Sequence, residues 1–168
     1  MHNEHHTETS LVSPSYVTLA DDDATLLLGA QLAPFLRGGL TVFLHGELGA
    51  GKTTLVRGML RGLGYPGKVK SPTYNLVEIY KISRLYLYHF DLYRFNDPGE
   101  WEDAGLREYF NPDSICLIEW PEKAAGLLYT PDLDITLDYA SHGRMVTIRA
   151  NTEVGIQCMQ QWQNLGVS

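Results

Sequence analysis

The sequence predicts a single compact α/β domain in which helices flank a mixed β-sheet with β-hairpins. Three patterns support this. The first is the succession of an apolar run, a glycine-rich loop and a helical repeat between Leu40 and Leu63, and the second is a pair of hairpins. The third is the compact apolar run Ser114 to Ile118, which is typical of a central strand. The chain has 168 residues with 44% hydrophobic content. This is enough for one core and short of what two domains usually need.

The N-terminal part of the chain predicts a tail, a short strand and a helix. Residues 1–13 are polar and predict a flexible extension, which leaves residues 14–168 for the domain. Tyr16 to Leu19 predicts a short strand. The three aspartates Asp21 to Asp23 are expected to cap a helix that runs through Leu36 toward Gly38 and Gly39.

The glycine-rich loop satisfies the phosphate-loop pattern G-x-x-x-x-G-K-[ST]. Such a loop turns backbone N–H groups inward around phosphates, while its lysine reaches the β and γ oxygens and its threonine offers a hydroxyl to Mg²⁺. A helix beginning at the loop adds its partial positive charge to the site. The pattern therefore predicts a P-loop NTPase-like fold with a nucleotide site formed by Gly46, Glu47, Leu48, Gly49, Ala50, Gly51, Lys52, Thr53 and Thr54.

The remaining elements follow in order along the chain. Alternating and aromatic-rich segments predict two hairpins, and the residues from Glu100 to Phe110 carry a helical stripe of large apolar side chains. The last dozen residues predict a helix. The predicted hairpin strands are residues 73–80 with 85–91, and 134–139 with 144–149.

Two acidic residues, Asp91 and Glu119, each follow an apolar, strand-like run. In open α/β sheets ligands lie beyond the carboxyl ends of the strands, so these two carboxylates are candidates for holding Mg²⁺ and orienting a water. A solvated carboxylate just past a strand is the alternative for each. The phosphate loop favours the functional interpretation.

Composition excludes several classes of protein. The net charge of −7 argues against binding nucleic acid through a basic surface of the chain itself. The two cysteines, Cys116 and Cys158, lack metal-ligand spacing and predict buried structural thiols. No apolar run approaches the roughly 20 residues of a membrane helix, and no signal-peptide core is present, so a cytoplasmic protein is expected.

Four motifs together resemble the bacterial TsaE family. They occur in the order and with the gaps of that family and span roughly the middle half of the chain. They are Gly46 to Thr54, then Ser71-Pro72-Thr73-Tyr74, then His89-Phe90-Asp91-Leu92-Tyr93-Arg94, and then Leu117-Ile118-Glu119-Trp120-Pro121-Glu122.

The resemblance implies a small P-loop ATPase required for N6-threonylcarbamoyladenosine at position 37 of tRNAs that read codons beginning with A. It implies TsaB and TsaD as partners, with tRNA contacted only through the complex, and ATP and Mg²⁺ as ligands. The catalytic residues would be Lys52, Asp91 and Glu119, with Thr53 and Glu119 as the Mg²⁺ ligands. Around the nucleotide the family pattern adds Asp22, Thr73, Trp120, Glu122 and Arg144.

Two other functions are open from the residues alone. A small-molecule kinase would transfer the γ-phosphate to an acceptor, but no arginine-rich lid segment is found. A non-catalytic switch would change its affinity for a partner on binding nucleotide; the chain has no Asn-Lys-x-Asp guanine-reading motif, which favours adenine. Arg94 is a weaker candidate for a cis arginine that stabilises transferred charge.

Overall fold

A seven-stranded mixed sheet forms the centre of the structure, a computed structural model that describes residues 12–165. The strand order is β1-β7-β6-β2-β5-β4-β3. Strand β2 lies between β5 and β6 and is parallel to both, and β4 is parallel to β5. The strands are β1 (Ser15–Leu19), β2 (Thr41–His45), β3 (Val77–Ile82), β4 (Leu85–Asp91), β5 (Ser114–Glu119), β6 (Leu133–Tyr139) and β7 (Arg144–Ala150).

Four α-helices accompany the sheet in the described part of the chain. They are α1 (Asp22–Leu32), α2 (Lys52–Gly62), α3 (Gly99–Ala104) and α4 (Glu153–Leu165). The Asp21 side chain caps α1 by accepting a 2.9 Å hydrogen bond from the backbone N–H of Ala24. Within residues 12–165 no helix is long and apolar enough to cross a membrane.

Helices α1 and α2 cross with their backbones in close contact. A Cβ atom added to Gly29 would lie 2.4 Å from the Leu55 carbonyl oxygen, and one added to Gly58 would lie 2.2 Å from that of Leu26. Only glycine fits on each side of the crossing. The two helices therefore pack as one unit against the sheet.

The sheet carries a separate apolar core on each face, because successive residues of a strand point to opposite sides. In β5, Leu117 belongs to the core beneath α1 and α2, whereas Ile118 belongs to the aromatic-rich core that contains Phe90 and Trp101. All six residues of β5 are buried. The central strand predicted from this run is confirmed, as are the mixed sheet and both hairpins.

Four predicted boundaries were wrong, those of α1, β3, α3 and α4. Helix α1 ends at Leu32, before a short 3-10 turn that contains Pro34, because proline lacks the N–H that would continue the helix. The predicted strand from residue 73 begins only at Val77, since the preceding residues form turns in which Leu76 has φ 67°.

The helix predicted from Glu100 to Phe110 is also interrupted. Helix α3 ends at Ala104, Gly105 adopts φ 67°, and residues 106–109 continue as a 3-10 turn. The C-terminal helix is confirmed but starts earlier, at Glu153. Most of the predicted N-terminal extension, residues 1–11, lies outside the described residues.

Candidate functional site

The phosphate loop joins the carboxyl end of β2 to the first residue of α2. Gly46 has φ 143°, and a Cβ atom there would lie 2.6 Å from the Leu137 carbonyl oxygen. Gly51 has φ 107° and is the N-cap of α2. Both positions therefore require glycine, and the loop delivers Lys52 and Thr53 to the first turn of the helix, where backbone N–H groups have no partner within the helix.

Lys52 lies inside the loop and is 5% exposed. Its ammonium donates a hydrogen bond to the Gly46 carbonyl and lies 3.2 Å from Glu119 Oε1. It also lies 5.3 Å from the centre of the Trp120 ring. The lysine thus connects the loop to the end of β5.

The two predicted carboxylates are neighbours at one edge of the sheet. Asp91 and Glu119 are the last residues of β4 and β5 and are paired in the parallel register. The backbone N–H of Tyr93 donates a 2.9 Å hydrogen bond to Asp91 Oδ1. Both side chains are buried, at 7% and 5% exposure.

Their environments shift the pKa values of Asp91 and Glu119 in opposite directions. Burial raises the pKa of Asp91, and the negative charge of Glu119 adds to this effect although the Tyr93 N–H opposes it. Burial also acts to raise the pKa of Glu119, but the hydrogen bond from His89 and the charge of Lys52 outweigh it, so that this pKa is lowered. Adjacent acids separated in this way can take different roles in catalysis.

His89 is the residue of the site that sequence reasoning assigned no role. It is fully buried, and its Nε2 lies 2.6 Å from Glu119 Oε2. The two residues are 30 positions apart in the chain, so only the pairing of β4 with β5 brings them together. The signal that could have found it is its place two residues before Asp91, which puts it on the same face of the strand.

One cavity contains most of the predicted site. The phosphate loop, the start of α2 and Glu119 line it together with residues of three other segments. Its lining residues are Asp22, Leu48, Gly49, Gly51, Lys52, Thr53, Thr54, Ser71, Thr73, Glu119 and Arg144.

Most of the other predicted residues line a neighbouring cavity, whereas Asp91 lines neither of these two cavities. Trp120, Glu122, Gly46 and Glu47 line a second cavity that shares Lys52 with the first. Ala50 is buried beneath the loop. The structure therefore brings Asp22 and Arg144 into the phosphate-loop cavity and places Trp120 and Glu122 in the second cavity, which Lys52 also lines.

Residues of the β6–β7 hairpin hold the tip of the phosphate loop. Arg144 Nη2 donates a 3.2 Å hydrogen bond to the Gly49 carbonyl, and its Nη1 lies 3.7 Å from Asp22 Oδ1. The Tyr139 hydroxyl donates a 3.4 Å bond to the Leu48 carbonyl. Asp22 thus contacts Arg144, whereas the N-cap of α1 is its neighbour Asp21.

Arg94 lies outside both cavities. Its guanidinium stacks over the ring of Tyr74, 4.9 Å from the ring centre, and Tyr74 is 80% exposed. The described cavities therefore give no support to the cis-arginine role suggested for Arg94.

The oxygen donors in the cavity are of the type that Mg²⁺ prefers. Thr53 contributes a hydroxyl and Glu119 a carboxylate, and magnesium usually takes one or two protein oxygens together with phosphate oxygens. Lys52 would neutralise part of the phosphate charge. This donor set fits a magnesium-bound nucleotide.

A strand, phosphate loop and helix, with a carboxylate at the end of the neighbouring strand β5 and a second at the end of β4, define a protein of the P-loop NTPase-like class. The sequence model of the family described as "Threonylcarbamoyl adenosine biosynthesis protein TsaE" matches residues 19–146. The chain belongs to the TsaE family.

Individual relatives agree with this assignment. The protein named tRNA threonylcarbamoyladenosine biosynthesis protein TsaE in Haemophilus influenzae is 46% identical over 151 residues, which cover 87% of this chain and 96% of that protein. The protein of the same name in Nostoc is 38% identical over 133 residues, or 76% and 80% of the two chains. The crystal structure of Bacillus subtilis YdiB superposes with a TM-score of 0.77 at 27% identity, covering 93% of this chain and 98% of that one.

Proposed function

We propose that this chain binds ATP with Mg²⁺ and hydrolyses it in support of threonylcarbamoyladenosine formation in tRNA. The observation that carries the proposal is the contact between Lys52 and Glu119 at the mouth of a phosphate loop, 3.2 Å apart and both nearly buried. A triphosphate entering this cavity would meet the lysine, the free N–H groups of α2 and the Thr53 hydroxyl together. The membership of the TsaE family supports the connection to tRNA modification.

Each group of the cavity has a role in this proposal. The loop amides and Lys52 bind the phosphates, and Thr53 and Glu119 hold the magnesium ion. When bound, Mg²⁺ neutralises charge on the β and γ oxygens. Asp22, Thr73 and Arg144 complete the walls around the nucleotide, and Trp120 and Glu122 border it from the second cavity.

Asp91 is proposed to orient the attacking water. One of its oxygens accepts the Tyr93 N–H, which leaves Oδ2 able to accept a hydrogen bond from water. In the reaction the water oxygen forms a bond to the γ-phosphorus, and the bond from this phosphorus to ADP breaks with its electron pair leaving on ADP. Of the two water protons, one stays on the released phosphate and the other passes to solvent.

TsaB and TsaD are the proposed partners, and tRNA is contacted only through them. The net charge of −7 supports this division, because a protein that holds RNA by itself uses clustered Lys and Arg. We also propose a cytoplasmic location. Partners that order the segment around Ser71 and Thr73, which lines the cavity, would increase a slow basal turnover.

The deciding experiment measures ATP binding by calorimetry and phosphate release by the pure chain, with and without TsaB and TsaD, beside tRNA modification in the same reaction. Lys52→Ala is expected to weaken ATP binding about 10- to 100-fold, since it removes a charged hydrogen-bond donor. Glu119→Gln should chiefly remove Mg²⁺-dependent hydrolysis. His142→Gln, in the exposed β6–β7 turn, is the control.

Three results would overturn the proposal: no uptake of ATP by the folded chain, displacement of ATP by GTP at equal concentration, or a phosphorylated small molecule in place of free phosphate. Turnover that is the same with and without the partner pair would remove only the coupling to TsaB and TsaD.

A further inference from the structure

We infer that His89 is a positioning residue for Glu119, fixing one carboxylate oxygen so that the other faces the phosphate-loop cavity. This inference rests on the proposed role of Glu119 as a magnesium ligand. The two oxygens of Glu119 have separate partners, since Oε2 meets His89 at 2.6 Å on the core side and Oε1 meets Lys52 at 3.2 Å on the cavity side.

The pairing of the strands explains why His89 can reach this acid. His89 is paired with Leu117, and Asp91 with Glu119, in the parallel register of β4 and β5. His89 therefore lies diagonally across from Glu119 on the same face of the sheet. Diagonal neighbours of this kind are within reach of long or aromatic side chains.

The direction of the hydrogen bond follows from the chemistry of the acid. A carboxylate can only accept, so Nε2 of His89 carries the hydrogen and donates it. In the neutral ring the other nitrogen, Nδ1, is then an acceptor, and it has no hydrogen-bond partner in the described residues. Among residues 12–165, Glu119 is thus the only hydrogen-bond partner of a fully buried imidazole.

Packing alone does not account for a histidine at this position. A leucine would fill space between the strands without burying a polar nitrogen that lacks a partner, which costs about 1–3 kcal/mol. What a leucine lacks is a donor for Glu119. The polar side chain is therefore explained by the acid that it contacts.

Nucleotide binding makes the hydrogen bond between His89 and Glu119 more important. In the proposed function the ammonium of Lys52 turns to the phosphates and no longer holds Glu119 by itself. The hydrogen bond from His89 comes from β4, a strand that is paired on both sides, and does not depend on the ligand. It keeps the carboxylate from rotating when the lysine contact is shared.

Three substitutions at position 89 test this role. His89→Gln places an amide N–H close to the position of Nε2, whereas His89→Asn is one methylene shorter and cannot reach Glu119. His89→Ala removes the donor altogether. Glutamine and asparagine are both polar and buried alike, so the comparison of these two isolates the hydrogen bond from general effects on the core.

Calorimetry measures the affinity of each variant for ATP, once with Mg²⁺ and once with EDTA. Thermal unfolding of each variant is recorded as well. Loss of a residue that orients a metal ligand typically weakens metal affinity or activity about 10- to 100-fold. We expect His89→Asn and His89→Ala to lose the Mg²⁺-dependent part of ATP affinity by this factor and to bind ATP in EDTA as the native chain does. His89→Gln should retain most of the Mg²⁺ effect.

Equal Mg²⁺ dependence in His89→Gln and His89→Asn, whether native or lost, would overturn the inference. If His89→Ala does not fold, the comparison of His89→Gln with His89→Asn still tests the inference. A native chain that shows no Mg²⁺-dependent ATP binding would instead refute the proposed function. His142→Gln controls for a change of histidine elsewhere.

Discussion

Replacement of Gly58 by alanine tests the crossing of α1 and α2. Helix propensity alone would make the variant more stable by about 1 kcal/mol, since glycine is poor in a helix interior. The added Cβ, however, would lie 2.2 Å from the Leu26 carbonyl oxygen, which is a backbone atom and cannot rotate away. Restoring van der Waals contact requires the helices to separate by more than about 1 Å.

The steric effect outweighs the helix-propensity gain, so Gly58→Ala is expected to lower the free energy of unfolding. Forcing an extra carbon into a packed core costs typically about 1–3 kcal/mol, and the contact with the Leu26 backbone places Gly58→Ala at the upper end. After the propensity gain we expect a net loss of about 2 kcal/mol in the free energy of unfolding. For a chain of this length the melting temperature should fall by about 4–8 °C.

Urea unfolding followed by circular dichroism measures the loss, and an unchanged dependence on urea would show that the unfolded state is not altered. Gly99→Ala is the matched control: Gly99 is exposed at the start of α3, and its added Cβ meets only the end of the Asp97 side chain. A Gly58→Ala variant as stable as the native chain would refute the close backbone contact. Because α2 carries Lys52, the same variant should also bind ATP more weakly.

Two further predictions concern side chains away from the cavity. Burial opposes ionisation of Asp134, but hydrogen bonds with His45 and Asn151 outweigh it and lower the pKa of this acid. The ionised side chain therefore adds to the free energy of unfolding above about pH 4, and this stabilisation is lost as the pH falls through the pKa of the folded state. Asp134→Asn should therefore cost about 1.5 kcal/mol at pH 7 in urea unfolding and less at pH 3; an equal cost at both would contradict this. Burial raises the pKa of Cys116 to about 12 and also raises that of Cys158, so iodoacetamide at pH 8 should label neither thiol in the folded chain and both in urea; labelling of either without urea would show that it is accessible.

Local sequence patterns predicted those parts of the fold whose structure depends on residues close together in the chain. The loop from Gly46 to Thr54 has little freedom once its glycines and lysine are present, and the residues of β5 between Ser114 and Glu119 are apolar because the strand is covered on both faces. Where a pattern is ambiguous, the prediction was wrong. Thr73 and Tyr74 favour strand by propensity, yet backbone turns within residues 72–76 hold this segment out of the sheet.

The role of His89 shows what a local pattern cannot supply. Its position two residues before Asp91 places it on the same face of β4, but nothing within a few residues identifies Glu119 as its partner, because that contact depends on which strands become neighbours. Arg144 is a related case. Its place at the phosphate loop follows from the position of the first residue of β7 beside the loop, whereas the hairpin sequence by itself is equally typical of an exposed surface charge.

The position of β2 has a consequence for synthesis of the chain on the ribosome. Its two neighbours, β5 and β6, lie some 70 to 90 residues later in the sequence, and the hairpin that holds Leu48 and Gly49 comes later still. A nascent chain that has exposed only its first hundred residues contains the whole phosphate loop but neither strand beside it. Translation must therefore pass β7 before the loop acquires its full set of supporting contacts, and a chain arrested earlier is expected to retain no triphosphate.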